Sequence, residues 1–206
     1  MTYRRTAAAC AALFWLMAAA AWAAGPLETL KAPLEESLSI LRDPQYQAAD
    51  RKAEQREKIW VLIDATFDFE EISKRALGRN WRLLDEAQQR EFVDLFTKLL
   101  GNTYLDQVQE AYKDETVVFD GEEIHDTKPL ARVKARILSS KGDIPVDYSL
   151  LGGDGAWRVY DIKVEGVSLV KNYRTQFDEI LLKESPDELI ERLREKVAEQ
   201  EAARNG

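Results

Sequence analysis

The sequence predicts an α+β fold: a series of helices, a meander of four antiparallel strands, then helices again. Three observations predict it. Up to about residue 112 the apolar residues recur at three- and four-residue steps, which is the helical period. From Thr116 the period becomes two, as in strands with one wet and one covered face. Residues 157–177 then begin as a strand, bend at Gly166 and run on as an amphipathic helix. A strand feeding directly into such a helix joins a sheet to whatever covers it.

The helices come first. Leu27, Leu30, Leu34, Leu38 and Leu41 form an amphipathic stripe with Pro33 inside it, and Asp43-Pro44 ends it, since a residue before proline leaves the helical region. A second helix is expected over 48–63. Its polar first half (Asp50, Arg51, Lys52, Glu54) reads as a solvated face, and Ile59, Trp60, Leu62 and Ile63 form its buried end. Asp68 caps a short third helix, with Glu71 three residues on. Asp85 and Gln88 open a long fourth helix with an unusually broad apolar side: Phe92, Phe96, Leu99, Tyr104 and Val108. Gly101 lies in its middle, where glycine costs about 1 kcal/mol relative to alanine. It marks either a bend or the close approach of another element.

The strands follow. Val117 and Phe119 alternate with Val118 and Asp120. Ala131, Val133, Ala135 and Ile137 alternate with Arg132, Lys134 and Arg136, and Val146, Tyr148 and Leu150 alternate with Asp147 and Ser149. Trp157 opens the fourth strand. Lys141-Gly142-Asp143 and Gly152-Gly153-Asp154-Gly155 supply the hairpins. After the helix that follows, Ser185-Pro186-Asp187-Glu188 is a strong start for a last helix, striped by Leu189, Ile190, Leu193 and Val197.

The N-terminus reads as a targeting segment rather than part of the fold. Arg4 and Arg5 precede the apolar run of residues 7–20, and Ala21-Trp22-Ala23 has the small-x-small cleavage pattern. The expectation is a signal peptide, residues 1–23, removed after Ala23, and a single domain over 24–206. Cleavage would take the only cysteine, Cys10, and change the formal charge from -8 to -10. An acidic chain without a dense basic patch is repelled by phosphate backbones, so no nucleic-acid partner is expected.

Little in the sequence points to catalysis. His125 is the only histidine, and one histidine does not make a metal site; no metal is expected. There is no nucleophile elbow, phosphate loop or zinc-protease motif. Asp147 is expected to face solvent. Asp161 is expected to be buried, in an ion pair with Arg174 or Lys163 rather than as a base. The stripe Arg132, Lys134, Arg136 reads as a solvated strand face, with an acidic partner or lipid headgroups as the alternative. There is also an excess of large apolar residues competing for one covered sheet face. A curved sheet wrapped by helices can leave an apolar cavity there, and a fully packed core stays open as the other outcome.

Two stretches carry a family resemblance. One runs from Trp157-Arg158-Val159-Tyr160-Asp161-Ile162 through Gly166-Val167-Ser168-Leu169 to Asn172-Tyr173-Arg174 and Gln176-Phe177. The other runs from Phe67-Asp68-Phe69 through Ala76-Leu77-Gly78 to Trp81, followed by a long helix reaching Tyr104. Together they resemble the MlaC family, also called the toluene-tolerance family, over nearly all of residues 24–206. The resemblance implies a curved, NTF2-like antiparallel sheet backed by helices, and a periplasmic phospholipid-binding protein rather than an enzyme. It implies a monomeric shuttle between an inner-membrane ABC transporter with an MCE-domain ring and an outer-membrane lipoprotein complex. Phospholipid would be cargo, with no cofactor. The candidate pocket is Phe67, Trp81, Phe92, Phe96, Leu99, Tyr104, Tyr148, Tyr160, Ile162, Val170, Tyr173 and Phe177, and Phe96→Glu or Leu99→Glu is expected to empty it without unfolding the chain. The alternatives are a carrier or adaptor for another apolar ligand such as a hopanoid, and an NTF2-like enzyme using Asp161 as base.

Overall fold

A computed structural model describes residues 24–153 and 155–205 of the chain; the expected signal peptide lies outside them. Helix α1 spans Pro26–Arg42, α2 Lys52–Thr66, α3 Phe69–Leu77 and α4 Glu86–Ala111. The strands are β1 Thr116–Ile124, β2 Leu130–Ser139, β3 Gly142–Gly153, β4 Ala156–Val164 and β5 Val167–Ser168, and helices α5 Leu169–Leu181 and α6 Pro186–Asn205 close the chain. Local chemistry sets the boundaries. Asp68 accepts the Glu71 N–H at the start of α3. Asp85 and Gln88 form a reciprocal capping box at α4. Ser185 and Glu188 bond each other's backbone at α6.

The sheet is a meander in the order β1-β2-β3-β4-β5, antiparallel throughout. Among the described residues it has five strands where the sequence pattern predicts four. The bend at Gly166 is a tight hairpin: Glu165 and Gly166 both have positive φ, 51° and 82°, and the two residues after them pair back onto β4 before α5 begins. Two residues are too few for periodicity to register.

One sheet face is wet. Lys134 meets Glu123 at 2.5 Å, and Arg136 meets Asp120 and Asp143, each at 2.9 Å. Arg132 lies 3.8 Å from Glu123. Exposed pairs of this kind contribute about 0–1 kcal/mol each, so the basic stripe is a solvated face. Asp147 pairs in register with Lys134 and Lys163 and is half-buried. The other face carries Val133, Ala135, Val146, Tyr148, Leu150 and Val159, against Leu30 of α1.

Among the described residues apolar burial falls into three clusters rather than one. The second gathers α3, α4, α5 and α6 around Phe92, Phe96 and Phe177. The third and smallest joins Leu41, Ile59 and Leu105 from α1, α2 and α4. A space remains where the three meet.

Candidate functional site

That space is an apolar groove of about 500 Å³. Helix α1 lines it with its leucine stripe, Leu30, Leu34, Leu38 and Leu41, and α2 with Ile59, Trp60, Leu62 and Ile63. From α4 come Leu100, Gly101, Tyr104, Leu105 and Val108. The sheet adds Val117, Ile137, Tyr148, Ile162, Val164 and Val167. Among the described residues no charged side chain lines it. Its rim is apolar too: Tyr104, Val108, Val164 and Val167 are 41–65 % exposed. Leu41 also borders a smaller cavity of about 240 Å³ that is polar, with Arg42, Lys52 and Gln55 in its wall.

The wall is built tightly. A Cβ on Gly101 would lie 2.7 Å from Cζ3 of Trp60, so the glycine marks a close approach: it lets α2 press its indole onto α4. Trp60 stacks on Phe69 at 5.5 Å between centroids, and Phe69 on Phe67 at 6.0 Å. The chain between α2 and α3 is tied to the sheet by the Asp68 N–H donating to the Val159 carbonyl at 2.9 Å. Arg158 donates to the carbonyls of Asp64 and Phe67 at 2.8 and 2.6 Å, holding the end of α2.

Of the twelve residues expected in the pocket, Phe67, Tyr104, Tyr148 and Ile162 line the groove. The other eight lie elsewhere. Phe92, Phe96, Leu99, Val170 and Phe177 are buried in the α3–α6 cluster, with Trp81 and Tyr173 packed against it. Phe96 meets Tyr173 and Phe177 edge to face at 4.9 and 5.2 Å. Burial, with Tyr104 beside it, pushes the Tyr173 phenol up. The physical reason is that α4 has two apolar faces. At about 100° per residue, Phe92, Phe96 and Leu99 fall in one sector, and Gly101, Leu105 and Val108 in the opposite one, with Tyr104 between. The first faces a solid helical core and the second the groove. Substituting Phe96, which is 0 % exposed, therefore attacks the core rather than the pocket.

Tyr160 is displaced by a bulge. The register runs Ser149↔Asp161 and then Leu150↔Val159, leaving Tyr160 as the extra residue. Val159 and Ile162 thus share the covered face despite being three apart, and Tyr160 lies under the Arg75 guanidinium, 4.0 Å from its ring centroid. Asp161 is buried, as expected, but its partners are neither Arg174 nor Lys163. It accepts the Ser168 hydroxyl at 2.7 Å and the Val170 N–H at 3.1 Å, fastening β4 to the start of α5, and it does not line the groove. Arg174 donates twice to the Arg75 carbonyl, at 2.8 and 2.5 Å, closing α3. Gly78, at φ +56°, leaves room for it, since a Cβ there would be 3.2 Å from Arg174 Nε. His125 is exposed, and its Nδ1 accepts the Thr127 N–H at 3.2 Å. Among the described residues no group of three or more His, Cys, Asp or Glu is placed to hold a metal ion.

Sequence reasoning missed the α1 leucines, the Ile59–Ile63 segment and the Val164–Val167 edge as wall residues. Two signals pointed at them: a leucine stripe with no assigned partner, and a mid-helix glycine.

The fold and groove define a class: an open antiparallel sheet covered by helices, with an uncharged apolar recess between the layers. The chain belongs to the MlaC family, whose description, MlaC protein, matches residues 31–195. Its fold is similar to that of a phospholipid-binding protein from Ralstonia solanacearum, solved in complex with a phospholipid. The two are 24 % identical with a TM-score of 0.73, over 86 % of this chain and 99 % of that one. A comparison with curated proteins finds no match.

Proposed function

We propose that this chain is a phospholipid carrier that holds acyl chains in the groove between α1, α2, α4 and the sheet. One observation carries the reading: among the described residues the wall of the groove, about 500 Å³, contains no charged residue, in a member of a family with a phospholipid-bound fold relative. Each methylene taken from water into such a wall contributes about 0.8 kcal/mol. A free lipid crossing water would lose that contribution for every methylene of both chains. A carrier removes this barrier by keeping the chains dry.

Lipid leaving a bilayer gains nothing further from the groove, because its chains are apolar-solvated in both places. Loading and release therefore take place by contact with partners that continue the apolar path. The partners in this reading are an inner-membrane MCE-domain ABC transporter complex and an outer-membrane lipoprotein complex. The compartment is the periplasm, reached through the N-terminal leader. Among the described residues no helix is long and apolar enough to cross a membrane. The reading is of binding rather than catalysis: Asp161, the candidate base, is committed to Ser168 and Val170.

The test is native mass spectrometry of the protein purified from the periplasm of a diderm host, with organic extraction of whatever is bound. A stoichiometric phospholipid is expected. Protein of bare mass that takes up no lipid from liposomes overturns the proposal, and a stoichiometric hopanoid would reassign the cargo.

A further inference from the structure

The groove wall has few polar groups, and nearly all are already engaged. The Ser37 hydroxyl donates to the Pro33 carbonyl at 2.8 Å, Thr66 to Leu62 at 2.7 Å and Ser168 to Asp161 at 2.7 Å. Tyr104 and Asn172 are exposed at the rim, and the Trp60 indole N–H belongs to a half-buried ring. Tyr148 is different. It stands in the middle of the sheet, between Val133 and Ile162. It is only 7 % exposed and lines the groove. Its hydroxyl makes no hydrogen bond with any described residue, yet it is not among the fully enclosed unpartnered atoms, so it is reached from the groove.

A buried hydroxyl is costly unless it is paired. Burial pushes this phenol up to about 12, so at ordinary pH it is a neutral donor. An ionised carboxylate or phosphate drawn to it would meet no cation among the described wall residues and would be unpaired in an apolar site. A bare hydrocarbon would leave it unsatisfied. What fits is a neutral acceptor attached to an apolar chain.

We propose that Tyr148 is a specificity-determining residue whose hydroxyl donates a hydrogen bond to an ester carbonyl of the bound lipid, so that the groove selects esterified acyl chains over ether-linked chains, free fatty acids and hydrocarbons. The proposal rests on the carrier reading above. It makes the sheet more than a passive wall: it places one polar contact where the linkage of the cargo is read.

The experiment uses the lipid-stripped chain and its Tyr148→Phe variant. Each is titrated with diacyl phosphatidylglycerol and with the dialkyl ether analogue of the same chain length and headgroup. The expected result is about a tenfold preference of the parent for the diester, equivalent to ~1.4 kcal/mol. In the variant the ratio falls to near one through loss of diester affinity, with ether affinity unchanged. A ¹³C-labelled ester carbonyl should absorb at lower infrared frequency in the parent complex than in the variant complex. Equal affinities in the parent, or a preference that survives Tyr148→Phe, overturns the assignment while leaving the carrier reading intact. Failure of the parent to bind either lipid overturns the carrier reading and this inference with it. Phenylalanine keeps the ring and removes only the unpaired hydroxyl, so the lipid-free variant should unfold at or above the parent's temperature.

Discussion

Replacing Gly101 by alanine sets two known effects against each other in the groove wall. The added methyl would lie 2.7 Å from Cζ3 and 3.0 Å from Cη2 of Trp60, where unstrained carbons keep about 3.5–4.0 Å. The indole must therefore move by roughly 1 Å. It is not free to do so, because its other neighbour is the stacked ring of Phe69, 5.5 Å away between centroids. Overpacking of this kind costs about 1–3 kcal/mol. Against it, alanine in a helix interior gains about 1 kcal/mol over glycine. The balance for Gly101→Ala is a loss of about 0–2 kcal/mol. Trp60→Phe removes the part of the ring that clashes, so in that background only the helical gain remains and Gly101→Ala stabilises by about 1 kcal/mol. Urea unfolding of the four lipid-free proteins measures the difference as a coupling of about 1–3 kcal/mol. If Gly101→Ala stabilises the parent as much as it stabilises the Trp60→Phe protein, the indole does not press on α4.

Four further outcomes follow from the same geometry. Ile63→Glu places a carboxylate in an uncharged wall at a half-buried position; it should purify folded by circular dichroism but lipid-free by native mass spectrometry. Phe96→Glu, at 0 % exposure, should instead lose more than about 4 kcal/mol and fail to give a cooperative unfolding transition. Arg174→Met removes both donors to the Arg75 carbonyl and should cost about 1–2 kcal/mol, read as a lower urea midpoint at unchanged slope. Finally, the Tyr148 phenol is raised from 10 to about 12. The native state therefore holds a proton that the unfolded chain releases as pH rises through 10, and the contribution present below pH 10 is lost progressively up to about 12. The stability of the parent relative to Tyr148→Phe should fall across that window by on the order of 2 kcal/mol; a difference independent of pH would show that the phenol is not buried as described.

The fold was largely readable because its boundaries are local chemistry. Asp68, Asp85 and Ser185 cap the helices that follow them, and caps are properties of four or five consecutive residues. The alternation of Val133 and Ala135 with Arg132, Lys134 and Arg136 assigned the sheet faces for the same reason. The groove was readable only in part. Periodicity identified a broad apolar side on α4 but not that Phe92 and Gly101 look toward different neighbours, because it ranks positions by hydropathy and not by what lies opposite. The bulge at Tyr160 breaks the two-residue alternation at one point and moves Tyr160 away from the groove; a single inserted residue leaves no trace in composition. Asp161 was expected to be buried, yet one of its two partners, the backbone N–H of Val170, is a group that every residue but proline carries and no sequence pattern marks.

In the proposed carrier the acyl chains lie against α2 and α4 and not in the aromatic core around Phe96. Residues 24–206 contain three tryptophans, Trp60, Trp81 and Trp157, and of these only Trp60 lines the groove. Phospholipid brominated along its acyl chains quenches indole fluorescence at contact. Loading the parent with it should quench the Trp60 contribution, and Trp60→Phe should abolish the quenching while Trp81→Phe and Trp157→Phe leave it in place. Quenching that persists in Trp60→Phe and disappears in Trp81→Phe would put the lipid in the other core and rule out the groove as its site.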